Sequence, residues 1–195
     1  SHRFFLKASR PSKRLVRFSK NARRRQIIIE VYRGSPVWLP FSCVMAQKLH
    51  LSIADQSPVR QGGTAAQALQ ETVSLAETAE ALGYERFWVA EHHNLPGFAG
   101  TSPEILVGQI AARTKTIRVG SGGVMLSHYS ALKVAETFRV LESFYPGRID
   151  LGLGRAPGSD QRTAAALSYP GQPRDIRYYP EQVDDKHGDL LFGDD

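Results

Sequence analysis

Four short apolar runs, each leading into a stretch of helical periodicity, recur along the middle of this 195-residue chain and restrict its fold more than any other feature. Their starts fall near residues 49, 86, 117 and 148, a repeat of about 31 to 37 residues. Strand–helix alternation at that interval calls for right-handed βαβ units on a parallel sheet. The first unit opens with Leu49–Ala54 and turns at Asp55-Gln-Ser-Pro58. Thr64, with Gln67 three residues on, predicts a capping box at a helix start. Ala65, Leu69, Val73, Ala76, Ala79 and Leu82 then recur at helical spacing, and Gly83 stands where a helix-ending glycine belongs.

The later units follow the same plan. Phe87–Ala90 is aromatic and β-branched, a buried strand. Ser102-Pro103-Glu104 predicts a helix through a capping serine, a proline at the first helical position and an acid in the first turn, with Ile105, Leu106, Ile110 and Ala111 facing inward. Thr116–Gly120 is the third strand. A helix is expected from about Ala131 to Phe144, with Leu132, Val134, Ala135, Phe138 and Leu141 inward, stopped by Tyr145-Pro-Gly147. Arg148–Gly154 reads as one fourth strand, and a further helix fits Asp160 to Leu167. Beyond it, Ser168–Asp195, with Pro170, Pro173 and Pro180, reads as irregular chain.

Hydrophobic content of 42% and charged content of 23% are those of an ordinary soluble domain, and the length favours one domain. No apolar run approaches the ~20 residues that span a bilayer. A single cysteine, Cys43, allows no internal disulfide and suits a reducing, cytoplasmic compartment. The formal charge of +6 is unevenly placed: eleven Lys/Arg and one acid lie in residues 1–44, which leaves the body from Met45 onward net negative. That basic leader, residues 1–44, reads as disordered or foreign to the fold. A transit peptide, a nucleic-acid arm and sequence translated from upstream of Met45 all fit it, the last best. The acidic body gives no electrostatic reason to expect nucleic acid.

In a parallel α/β fold, chemistry gathers at the carboxyl ends of the strands, where the loops converge. Here those ends carry Asp55-Gln-Ser57, Glu91-His92-His93, Ser121-Gly122-Gly123 and Gly152-Leu-Gly-Arg155. Polar, glycine-rich loops are common, so any one of these could be a plain turn; four at one structural level point to a site. Gly122-Gly123 allows either close approach of a flat ligand or a β-bulge. Gly152-x-Gly154 is a weak dinucleotide signal, and Arg155 suits an anion or a carboxylate such as Glu136. A zinc site from His92, His93 and His128 is disfavoured, because neighbouring histidines on an extended chain point to opposite sides. Nucleophilic catalysis has no support: Cys43 lies in the leader and there is no G-x-S-x-G elbow.

Three segments together resemble the bacterial luciferase-like flavin monooxygenases. They are Leu82-Gly-Tyr-Glu-Arg-Phe-Trp-Val-Ala-Glu-His-His93, Val119-Gly-Ser-Gly-Gly-Val-Met-Leu126 and Tyr145-Pro-Gly-Arg-Ile-Asp-Leu-Gly-Leu-Gly-Arg-Ala-Pro-Gly-Ser-Asp160, collinear within about Lys48 to Leu167. The resemblance implies a parallel (β/α) TIM-type barrel that binds reduced FMN (FMNH2) at its carboxyl face and uses O2 to oxidise a small organic substrate. By the same resemblance His92 is the catalytic acid/base, with Glu91 and His93 orienting it. Ser121, Gly122 and Gly123 lie under the flavin, where the family often has a non-prolyl cis peptide, and Glu136 and Arg155 support its pocket. No metal is implied. The implied partners are the flavin, its substrate, and a second copy of the chain or a flavin reductase; no membrane is among them.

Only about four of the eight βα units of such a barrel are legible, in residues 45–167, followed by the irregular tail 168–195. A gene fragment, a frameshifted product and a half-barrel that needs a partner all fit that shortfall. Two other readings of function stand beside the monooxygenase: a non-catalytic flavin-binding remnant, and nucleic-acid binding through residues 1–25.

Overall fold

Residues 13–16, 26–32, 50–155, 160–171 and 176–184 are described by a computed structural model, the first two stretches as backbone only. The strands β1 (Lys13–Val16), β2 (Gln26–Tyr32), β3 (His50–Asp55), β4 (Arg86–Val89), β5 (Arg118–Ser121), β6 (Val124–Met125), β7 (Ile149–Asp150) and β8 (Leu153–Gly154) form two sheets. The larger has the order β1-β2-β3-β4-β5-β7, and the smaller pairs β6 with β8. From β3 to β7 every neighbouring pair is parallel. The crossovers are α1 (Ala65–Ala81), α2 (Pro103–Arg113) and α3 (Ala131–Phe144). This is the α/β architecture of a TIM-type barrel over about four of its eight units.

Local chemistry explains the helix ends. Thr64 accepts from the Gln67 N–H at 3.2 Å, and Gln67 Oε1 accepts from the Thr64 N–H at 2.9 Å, the expected capping box. At the other end Gly83 has φ +78°, and the Gly83 and Tyr84 N–H groups bond back to Glu80 and Ala79, a Schellman stop. Ser102 departs from expectation: it makes no side-chain cap bond, and Pro103, which lacks an N–H, begins α2 instead.

One face of the parallel sheet is sealed by these helices. Ile53, Phe87, Val89 and Val119 pack with Ala76, Ala79, Leu106, Val107 and Ile110. The inward face of α1 is Ala68, Thr72, Ala76 and Ala79, with Leu69 and Val73 at its margin. Leu82, expected inward, is 72% exposed because it lies past the last helical turn, and Ile105 is 62% exposed on the outer side of α2. Side-chain alternation sends Arg86, Trp88, Arg118 and Asp150 to the opposite face. There Asp150 accepts from Arg118 at 2.5 and 3.0 Å and from Arg86 at 3.3 Å.

The fourth run does not form one strand. Ile149 and Asp150 stay beside Val119 and Gly120, whereas Leu153 and Gly154 move across to Val124 and Met125. Ser121 makes the step: its Oγ donates to the Gly152 carbonyl at 2.9 Å and accepts from the Gly152 N–H at 3.0 Å. A Cβ on Gly152 would collide with the Ser121 carbonyl, so this crossing requires glycine.

Two stretches of the basic leader form strands, although the sequence reading sets the leader apart from the fold. Here β2 runs antiparallel along β3, from Gln26 opposite Ala54 to Glu30 opposite His50, and β1 pairs outside it. The other residues of 1–49, Cys43 among them, lie outside the described residues. Past Asp160 the expected helix forms as α4 (Gln161–Ser168), and the Asp160 carboxylate caps it. The tail holds a short helix, α5 (Tyr179–Asp184), where irregular chain is expected. Pro180 sits in its first turn, where no N–H is needed, and Tyr179 is buried beside Val124, Leu126, Val134 and Phe138.

Candidate active site

The loops that leave β3 and β4 are tied together before any side chain is considered. Ala99 N–H donates to the Ser57 carbonyl, Val59 N–H to Gly97 and His92 N–H to Gly100, each at 2.9–3.0 Å. Ser57 and Asn94, one in each of these loops, take left-handed φ values of 49° and 51°, uncommon without glycine. Asn94 Nδ2 also reaches Thr163 Oγ1 at 3.0 Å, which brings α4 to the same rim.

At the end of β4 the Glu91 side chain is wholly buried. A buried carboxylate is costly unless its oxygens are bonded, and here both are. Oε2 accepts from the Met125 N–H at 2.7 Å. Oε1 is 2.6 Å from His93 Nε2 and accepts from the Tyr129 hydroxyl at 2.6 Å. Tyr129 lies just past a 3-10 turn, Leu126–His128, and burial beside Glu91 pushes its phenol ionisation far up. The edge of the His128 ring faces His93, with centroids 6.3 Å apart.

His92 points elsewhere. Its ring stacks on Phe98 with centroids 4.7 Å apart, and its buried Nδ1 has no hydrogen-bond partner among the described residues. Burial lowers its pKa, the Glu91 charge opposing and the His93 charge adding to that shift, so the ring is neutral near pH 7. Opposite directions for the two imidazoles follow from side-chain alternation on extended chain. Glu91 therefore holds His93; no bond from Glu91 or His93 to the His92 ring occurs among the described residues.

The Gly122–Gly123 peptide is cis, the geometry that the family resemblance implies there. Gly123 lies against the Gly152 backbone, since an added Cβ would come within 2.7 Å of the Gly152 carbonyl oxygen. Ser121 is fully buried in its bonds to Gly152. Glu136 is on the exposed side of α3, 3.9 Å from Lys133, and Arg155 is exposed just past β8. Neither is bonded to the Glu91 cluster among the described residues. Tyr129, Phe98 and the Met125 N–H were not legible as site groups; only the position of Tyr129 on the loop after the glycine pair could have drawn attention to it.

A parallel half-barrel with an acid–imidazole cluster at the carboxyl ends of its strands is an enzyme-type scaffold. Residues 49–178 match the model of the luciferase-like monooxygenase family. A Bacillus subtilis (strain 168) protein known as uncharacterized protein YwcH is 59% identical over an alignment of 148 positions that covers 70% of this chain and 44% of that protein. The crystal structure of apo-MsnO8 superposes with a TM-score of 0.67 at 49% identity, over 72% of this chain and 42% of that one. The oxygenating constituent of 3,6-diketocamphane monooxygenase from Pseudomonas putida, solved in complex with FMN, shares the fold at a TM-score of 0.59 and 20% identity, over 70% and 37% of the two chains. The chain belongs to the luciferase-like monooxygenase family. It spans less than half the length of the relatives it matches. Among the described residues no helix is long and apolar enough to cross a membrane.

Proposed function

We propose that this chain carries one half of a flavin monooxygenase site, which uses reduced FMN and O2 to oxidise a small organic substrate. One observation carries the reading: His92 keeps a buried, unpartnered Nδ1 beside the bonded Glu91–His93 pair, among the described residues. A neutral imidazole with an unmet ring nitrogen suits a polar ligand that accepts or donates a hydrogen bond there. The glycine pair, which carries no Cβ, and the unmet His92 Nδ1 support a flavin at this face. Ser121, Gly122 and Gly123 would border its ring, with Arg155 toward its polar side; Glu136, on the exposed side of α3, is left out of that set. When bound, the flavin would activate O2 and supply the electrons. His92 would give or take a proton at the reacting atoms, and Glu91 and His93 would hold that wall of the site.

The matched relatives are more than twice as long as the segments they share with this chain, which favours a second reading, a flavin-binding remnant without turnover. Nucleic-acid binding through residues 1–25 rests on residues that lie mostly outside those described. An FMN titration followed by flavin fluorescence, together with solution mass, tests the main reading. Saturable quenching is expected, by the chain alone or as a dimer, and turnover of FMNH2 that His92→Ala abolishes. No quenching at any FMN concentration would refute both flavin readings, and quenching without turnover would leave the remnant.

A further inference from the structure

Glu91 Oε1, His93 Nε2 and the Tyr129 hydroxyl lie mutually within bonding reach, at 2.6, 2.6 and 3.3 Å. Proton accounting narrows what this triangle can be. A carboxylate only accepts, so His93 carries its proton on Nε2 and donates it to Oε1. Tyr129 has one proton and donates it to the same oxygen. Its own lone pair can take a lesser share of the Nε2–H. With Oε2 bonded to the Met125 N–H, both carboxylate oxygens are engaged.

We propose that Tyr129 is a positioning residue that acts through Glu91 on His93, setting how tightly the buried carboxylate holds the His93 Nε2–H and so how firmly that wall of the site is fixed. The proposal rests on the monooxygenase reading and adds a residue to it. Tyr129 keeps its proton, in line with its strongly raised ionisation. Because Tyr129 and His93 compete for one oxygen, the phenol moderates how strongly Glu91 holds the Nε2–H. A purely structural clamp would show no such competition.

Tyr129→Phe separates the two. It removes the hydroxyl and keeps the ring, so the packing survives. In the unliganded protein the His93 Nε2–H proton, observed by NMR, is expected at low field, and in Tyr129→Phe it moves further downfield as Oε1 becomes available to it alone. Glu91→Gln abolishes the low-field signal. With FMNH2 and O2, Tyr129→Phe slows turnover of FMNH2 about tenfold, the factor one hydrogen bond carries, and leaves FMN affinity unchanged. A resonance that stays in place, moves upfield or is lost to exchange in Tyr129→Phe would overturn the proposal. The NMR response without turnover in the parent chain would support the coupling and count against the flavin reading, so the two fail separately.

Discussion

Gly123 shows how little room the site leaves. A methyl group there would lie 2.7 Å from the Gly152 carbonyl oxygen and 2.8 Å from two backbone carbons. Backbone cannot swing aside as a side chain can, so Gly123→Ala forces β6 and β8 apart. Overpacking of this kind costs about 1–3 kcal/mol. Urea unfolding of Gly123→Ala should show a loss of that size, and an unchanged midpoint would mean that the strands part without strain. At the same scale the sequence was half legible. Glu91-His92-His93 stood out because three titratable groups end an apolar strand. Their division of labour did not, because it depends on donors at Met125 and Tyr129 that lie 34 and 38 residues away.

Among the elements, Glu80 in the last turn of α1 holds the chain that leads from α2 into β5. Its Oε1 accepts from the N–H groups of Lys115, Thr116 and Ile117 at 2.8, 2.6 and 2.9 Å, and from the Thr116 hydroxyl at 3.1 Å. Burial works to raise the carboxyl pKa, but these bonds outweigh it and hold the group at about 2, below its ordinary 4.5. A depressed folded value stabilises the protein above the unfolded pKa and ceases to do so as the pH falls toward 2. Chemical denaturation at pH 3 and pH 7 should therefore show a smaller acid loss in Glu80→Gln than in the parent, and equal losses would remove Glu80 from the account. Arg148 works beside it, donating to the carbonyls of Ile117, Ala111 and Thr114 at 3.0–3.1 Å. Helices were the most legible elements, since caps and periodicity are local: α3 spans Ala131–Phe144 as the pattern predicts. The split of the fourth strand was not legible, because Gly152 steps aside only on meeting Ser121.

For the whole molecule, the question is what closes the sheet. On one side β2 covers β3 over five paired residues, and on the other β7 pairs with β5 through only two. An unpaired strand edge invites association. A chain lacking residues 1–44 would expose β3, and it should melt at lower temperature and sediment as larger species than the 195-residue chain. Unchanged melting and mass would mean that the leader stands apart from the fold, as its composition suggests. Within it Ile27-Ile28-Ile29 and Val31-Tyr32 are strand-forming residues, overlooked in the basic surroundings, and their pairing with β3 was not legible because sheet partnership is non-local.

The three donors to Glu91 have an implication for the order of events in folding. None of them is near Glu91 in sequence except His93, so the carboxylate enters the interior with partners only when the third βα unit has docked. Contacts of such separation form late and are lost early. The site therefore has no local precursor: it is assembled in the closing stage of the fold, and a fluctuation that lifts residues 124–129 dismantles it while the sheet beneath remains whole.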